Sequence, residues 1–198
     1  NVTSHVAQGT TGWTRMGDYI ALKELRIKGY IADIANPGST DGPYYIRTCA
    51  VYDLYPSNGG TPPTWNLVVR ESKNFVGPTT FSSGPFCDYN QDNAYRFLIL
   101  HDEVAMFPQT NAVFLSVFPN PAINQSVSAF QINVQCILPN LRTKYVNIQP
   151  PPNPAPVASG AVHIFMLAWP GGTANAGHQF QFEGNVNLLY QDSVQHIV

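Results

Sequence analysis

Apolar and polar residues alternate almost without a break over residues 178–192. Phe180, Phe182, Val186, Leu188 and Tyr190 share one parity, while Gln179, Gln181, Glu183, Asn185, Asn187 and Gln191 share the other. Successive side chains of a strand point to opposite faces, so the spacing predicts a long β-strand with one buried and one wet face. Residues 128–138 repeat the pattern, with Phe130, Ile132, Val134, Cys136 and Leu138 against Gln131, Asn133 and Gln135. Residues 18–33 read as a strand in two halves: Ile20 and Leu22 keep one parity, Leu25, Ile27, Gly29 and Ile31 the other, and the switch at Lys23-Glu24 predicts a bulge. Residues 44–55, rich in Tyr, Ile, Val and Thr, form a second strand. Residues 95–100 and 104–107 are two short strands, with His101-Asp102-Glu103 as the hairpin turn between them, and residues 112–118 are a further apolar run. Beyond a kink at Pro139 the strand of residues 128–138 extends through residues 141–148. Residues 161–169 are apolar at both parities, which predicts a central strand buried on both faces.

Between these runs the chain is punctuated by turn formers. Residues 1–17 form an irregular N-terminal arm expected on the surface or on a neighbouring subunit. Residues 56–93 are a long inserted loop, in which residues 65–70 are a short helix or an apolar anchor. Residues 150–156 make a stiff polyproline connection, and residues 194–198 are a C-terminal tail. About eight strands separated by irregular Pro-rich loops, with hardly any helical periodicity, favour a jelly roll over an immunoglobulin sandwich, whose turns recur more regularly. The expected fold is therefore all-β, an eight-stranded antiparallel jelly roll of two sheets, in one domain over residues 18–193.

Charge changes the picture. Only 11% of residues are Asp, Glu, Lys or Arg, against about 25% in an ordinary soluble domain. A surface so short of charge suits contact with copies of itself, or else an extracellular β-domain. The net charge of −2 and pI near 6.2 give no global basic field to attract nucleic acid. Cys49, Cys87 and Cys136 are an odd number without a close pair, which argues against a disulfide framework or a zinc site and for buried thiols. No run reaches eighteen apolar residues and no secretory leader is recognisable, so no membrane partner is expected.

The residues show no catalytic constellation, metal site or cofactor motif, and a non-enzymatic role is expected. His5, His163, His178 and His196 lack metal-ligand spacing, and His163 is expected to be a hydrogen-bonded core histidine. Arg26 and Lys28 share a strand face, as do Arg142 and Lys144; the two pairs either decorate a solvated or interface-paired strand face or, facing a particle interior, contact phosphates irrespective of base sequence. Trp65, Phe81, Phe86 and Tyr89 in the long loop, with Pro151 and Pro154 in the polyproline segment, are the expected intersubunit contacts. Asp41, Asp53, Asp88 and Asp92 fall in loops or strand ends that suit an intersubunit calcium by residue type alone.

Lys23-Glu24-Leu25-Arg26-Ile27-Lys28-Gly29-Tyr30-Ile31 and the later Arg47-Thr48-Cys49-Ala50-Val51-Tyr52-Asp53-Leu54-Tyr55-Pro56-Ser57-Asn58-Gly59 resemble the first two strands of capsid proteins from small circular single-stranded DNA viruses, the geminivirus coat proteins and their environmental relatives. Asn93 to Glu103 resembles their Arg-Phe strand, residues 130–145 their next long strand, and residues 161–168 and 182–193 their last two. The order and spacing of these parts carry the resemblance. It implies a capsid protein that assembles into an icosahedral shell of about 60 copies or a multiple, located in the virion and, during assembly, in the host nucleus. It also implies single-stranded DNA as a partner, gathered by an Arg- and Lys-rich N-terminal arm that residues 1–17 do not supply. The alternative is a lectin-like, carbohydrate-binding jelly roll in which Trp13 or Trp65 stacks on sugars. A cupin-type enzyme is less consistent, because the clustered His-x-His and Glu are missing.

Overall fold

The alternating segments do become strands. The structure is a computed structural model and describes residues 2–6, 15, 17–33, 44–56, 62–70, 72–73, 81–82, 85–107, 129–146, 156–170 and 180–192. The strands are β1 (Tyr19–Asp33), β2 (Tyr44–Asp53), β3 (Ser72–Lys73), β4 (Phe81–Ser82), β5 (Phe97–Phe107), β6 (Ala129–Ile137), β7 (Arg142–Tyr145), β8 (Val157–Ser159), β9 (Ala161–Pro170) and β10 (Phe180–Asp192). A single-turn helix α1 (Trp65–Val68) and two 3₁₀ turns (Thr3–His5 and Gln91–Asn93) complete the elements. The two-residue strands β3 and β4 pair only with each other; the other eight form two sheets, so the described chain is an all-β sandwich.

In the five-stranded sheet, β1 is flanked by β10 on one side and by β6 and β7 on the other, with β8 beyond β7. The bulge is where the parity switch predicts it: Leu22 pairs with Tyr190 and Glu24 with Leu189, leaving Lys23 as the extra residue. β6 and β7 are one strand broken opposite this bulge. Asn140 takes a left-handed φ of 66° after Pro139; the Leu138 N–H donates to the Lys23 carbonyl and the Leu22 N–H to the Leu141 carbonyl, both at 2.9 Å. The kink and the bulge are thus two sides of one irregularity. It keeps Ile20, Leu22, Leu25, Ile27 and Ile31 all buried despite their change of parity.

In the three-stranded sheet, β2 lies between β5 and β9. Two expectations are corrected here. His101-Asp102-Glu103 is not a hairpin turn: β5 runs straight through it, His101 pairing with Ala50, Asp102 with Cys49 and Glu103 with Thr48, while a register shift leaves Leu100 as a bulge. Charged residues survive mid-strand because Asp102 is held by Arg47 of β2. Nor are residues 161–169 the central strand: among the described residues β9 ends its sheet, and β2 is the strand buried almost throughout. β9 is apolar on both sides because a loop, not a flanking strand, covers its outer side: Trp65 packs on Phe165 and Trp169, with ring centroids 5.4 and 6.3 Å apart.

Between the sheets, side chains of β1, β2, β6 and β9 share one core with Leu138, Tyr145 and Val157, and Phe180, Phe182, Leu188 and Tyr190 of β10 close its margin. The sheets are also tied by polar groups. The Tyr52 hydroxyl of β2 donates to the Arg142 carbonyl of β7, and Thr143 Oγ1 donates to the Gly160 carbonyl at 2.6 Å. Gly160 turns the chain from one sheet to the other with φ 73°; a Cβ there would lie 2.2 Å from the Arg142 carbonyl. The N-terminal segment departs from the surface arm expected of it. Thr3, Ser4 and Val6 are buried, the Val2 N–H donates to the Val162 carbonyl at 2.8 Å, and the Tyr145 hydroxyl donates to the Thr3 carbonyl at 2.9 Å. Arg15 is buried as well, stacked 3.9 Å over the Tyr145 ring. A cation–π contact of this kind is how a guanidinium tolerates burial.

Candidate interaction surface

The sandwich gathers the two basic pairs on one surface, the outer face of the five-stranded sheet. After the bulge, Glu24, Arg26, Lys28 and Tyr30 point outward along β1. Arg26 lies between Asn187 of β10 and Gln135 of β6, Lys28 between Asn185 and Asn133, and Tyr30 between Glu183 and Gln131. Before the bulge, Lys144 sits beside Tyr19 and Arg142 beside Ala21. Lys23, exposed at the bulge itself, lies between the two groups. This face therefore carries five of the ten Lys and Arg residues of the chain, set among neutral amides, against two carboxylates, Glu24 and Glu183. A chain with no global basic field thus has a locally basic sheet face.

The cations on it are not equivalent. Arg26 grips Glu24 with two hydrogen bonds of 2.7 and 2.8 Å, and Gln135 donates to the same carboxylate. The hydrogen bond from Arg26 holds Glu24 below its ordinary carboxylate range and raises the guanidinium in turn. Much of the Arg26 charge is consequently compensated within the strand. Lys144 lies 5.4 Å from the Tyr19 ring centroid. Lys28 and Arg142 are exposed and make no ion pair among the described residues. Tyr30 donates to Glu183 across the strands, which raises the phenol above its usual value. Four cations, Lys23, Lys28, Arg142 and Lys144, are thus left to meet an external anion.

The opposite side of the molecule is built around Arg47, which projects from the outer face of β2. Its Nε and Nη2 donate to the two oxygens of Asp102 at 2.7 and 2.6 Å, and its Nη1 donates to the carbonyls of Pro85 and Cys87 at 3.1 and 2.8 Å. The Tyr89 hydroxyl donates to the same Asp102, and the guanidinium lies 5.4 and 5.7 Å from the Trp65 and Tyr89 ring centroids. Burial pushes the Asp102 carboxyl up, but the hydrogen bonds from Arg47 and Tyr89 outweigh it and leave it below its usual range. Beneath, Cys49, Val51, Val68, Val69 and Phe97 form a second apolar cluster; burial pushes the Cys49 thiol up to about 12, so it stays a protonated hydrophobe. One buried cation thereby clamps the long loop onto the sheet from both of its limbs.

The expected intersubunit residues divide accordingly. Trp65 and Tyr89 are engaged with Arg47 and the outer side of their own sheet, and Val69 forms an isolated bridge with Tyr89. Phe86 is 70% exposed, resting edge-on against Tyr45 at 5.2 Å, and so, unlike Trp65 and Tyr89, has surface to offer. Phe81 lies in β4; Pro151 and Pro154 fall outside the described residues, as do Asp41 and the apolar run of residues 112–118. Asp53 is not available to a cation as first expected: it is fully buried and accepts two 2.8 Å hydrogen bonds from Arg96 and one of 3.0 Å from the Tyr55 N–H. His163 is buried, yet neither ring nitrogen has a hydrogen-bond partner among the described residues, contrary to expectation.

Sequence reasoning missed Arg47, Asp102, Lys23 and the Tyr30–Glu183 pair. For Arg47 a signal was present, a lone charge between Ile46 and Thr48 in an apolar strand, which demands a buried partner. That partner is 55 residues away and cannot be read from spacing. Among the described residues, no three His, Cys, Asp or Glu side chains cluster as metal ligands, and no helix is long and apolar enough to cross a membrane. No protein-family model and no curated protein matches the chain.

Proposed function

We propose that this chain is a structural coat protein, a jelly roll that assembles with copies of itself into an icosahedral shell around a small single-stranded genome. The observation that carries the reading is the nested pairing of strands. β1 pairs with β10 in one sheet while β2 pairs with β9 in the other, all antiparallel, as when one long hairpin is wound over two layers. The winding differs from the plainest jelly roll in that β1 and β2, not β10 and β9, are the inner members of their pairs. The resemblance of these same strands to capsid proteins of circular single-stranded DNA viruses supports the coat-protein reading. So does a composition with 11% charged residues, which suits a surface tiled by identical subunits.

In this reading the basic outer face of the five-stranded sheet meets the genome, and Phe86 with the clamped loop meets neighbouring subunits. The lectin-like alternative has less support. The Trp65 ring is packed against Arg47, Phe165 and Trp169, and Trp13 lies outside the described residues. The test is electron microscopy and sedimentation of the purified protein. Closed particles of megadalton mass are expected; a lone molecule at every concentration and salt condition overturns the proposal.

A further inference from the structure

The self-assembly reading leaves open which surface joins two subunits, and the sheet edges differ in how well they are guarded. An exposed edge strand presents unpaired N–H and C=O groups, which proteins blunt with short strands, charges, bulges or proline. β8 is three residues long. β5 carries a bulge and the charged run His101-Asp102-Glu103. β9 ends in Pro170, and the outward N–H and C=O of Val162 are taken by Thr3 Oγ1 and the Val2 N–H at 3.3 and 2.8 Å. β10 carries the charges of Glu183 and Asp192, and its Phe180, Tyr190 and Asp192 are held in other contacts. β6 has none of these devices. Its nine residues include no charge and no proline, it pairs with β1 without a register shift, and among the described residues no strand lies on its other side. The sandwich is also open there. A groove of about 280 Å³ separates β6 from the other sheet, lined by Phe130 and Ile132 on one bank and by Ile46 and Ala105 on the other. Glu103, the charged residue of that lining, belongs to β5 and is 59% exposed.

The hydrogen-bond phase of β6 is fixed where it meets the bulge. Ile137 lies opposite Glu24, and the Leu138 N–H donates to the Lys23 carbonyl, so Ile137 and Glu24 do not bond to each other while Cys136 and Leu25 do. Main-chain groups change sides with each residue. Phe130, Ile132, Val134 and Cys136 therefore turn N–H and C=O toward β1, and Gln131, Asn133 and Gln135 turn theirs to the open edge. When β6 is laid antiparallel on a second copy about Asn133, those three residues meet in bonded pairs, Asn133 with its own equivalent and Gln131 with Gln135. The inner row matches as well, Ile132 beside Val134 and Phe130 beside Cys136, while the outer row sets amide against amide. We propose that two copies of this chain pair through the open edge of β6 about a twofold axis at Asn133, joining their five-stranded sheets into one and placing the partner's strand at the side of each groove. This rests on the self-assembly reading and names an interface for it, an isologous one that closes on itself.

Hydrogen exchange on the unaltered chain tests the pairing. Labelled while associated and read residue by residue after dissociation, the N–H groups of Gln131, Asn133 and Gln135 should exchange about a hundredfold or more slowly than in the dissociated protein. Those of Phe130, Ile132, Val134 and Cys136, bonded to β1, stay slow in both. If the three edge amides exchange fast in the associated protein, or are already slow in the dissociated one, the β6 interface is overturned while self-assembly stands. Asn133→Glu gives an independent reading. Asn133 is paired with Lys28 on β1, so the new carboxylate faces a cation within the subunit and its own equivalent across the axis. Sedimentation velocity over a concentration series should show association of the folded variant, checked by circular dichroism, weakened by about a hundredfold at low salt, and that of Asn133→Gln unchanged. A folded Asn133→Glu that associates as tightly as wild type likewise overturns the interface alone, and a wild-type protein that never associates overturns both.

Discussion

His163 sits on β9 with 1% of its surface exposed, and its Nε2 lies 3.7 Å from the Asp53 carboxylate that Arg96 already occupies. Burial lowers the imidazole from 6.5 to about 4. The folded chain therefore resists a proton that the unfolded chain accepts, and stability is complete above about pH 6.5 and falls as pH drops towards 4. A depression of that size corresponds to about 3 kcal/mol by pH 4. Asp102, held below its ordinary value, acts in a separate window, since its contribution disappears only below the normal carboxylate range. Unfolding free energies from urea titrations at pH 7.5 and 4.5 should differ by most of that amount in the wild type and by much less in His163→Gln; equal pH dependence in the two proteins refutes the assignment. The position of His163 in an apolar run announced its burial, but not that its neighbour would be a carboxylate already paired with arginine.

At the scale of elements, the long strands β1 and β6 were legible because each buries one face, and a two-residue period is what one-sided burial imposes; on β10 the same period leaves Phe180, Phe182, Leu188 and Tyr190 half-buried, while Val186, expected on the dry side, is 38% exposed. The bulge at Lys23 was legible for the same reason, as a break in that period. β5 and β9 were misread where a distant group changed the local rule: Arg47 keeps Asp102 inside a strand, and Trp65 covers the far side of β9. Gly29 shows a constraint of closer range. It faces Gly184 across β1 and β10, and a Cβ on it would lie 2.3 Å from the Glu183 carbonyl and 2.8 Å from the Phe182 ring. Gly29→Ala must push the two strands apart and should cost about 2 kcal/mol or more, lowering the thermal midpoint in calorimetry. An unchanged midpoint would mean that the strands yield freely at this crossing.

For the whole molecule, the question is whether the gathered cations serve a polyanion. Replacing Arg26, Lys28, Arg142 and Lys144 by Ala removes three little-compensated charges and one that Glu24 already neutralises in large part. If each uncompensated cation meets one phosphate of a single strand, the slope of log affinity against log salt should become shallower by about 2. Fluorescence anisotropy with a single-stranded oligonucleotide measures it; an unchanged slope removes nucleic acid from this face. The wet and dry sides of β1 and β6, the wet side of β10, the bulge and the shortage of charge were settled by the sequence alone, because each depends on residues close together in the chain and on which of them avoid water. The tertiary structure alone decided that the basic pairs share a face, that Arg47 clamps the loop, and that β2 rather than β9 is the middle of its sheet among the described residues. All of these depend on which strands become neighbours, and pairing energy between backbones is nearly blind to side-chain identity, so periodicity that names a strand does not name its partner.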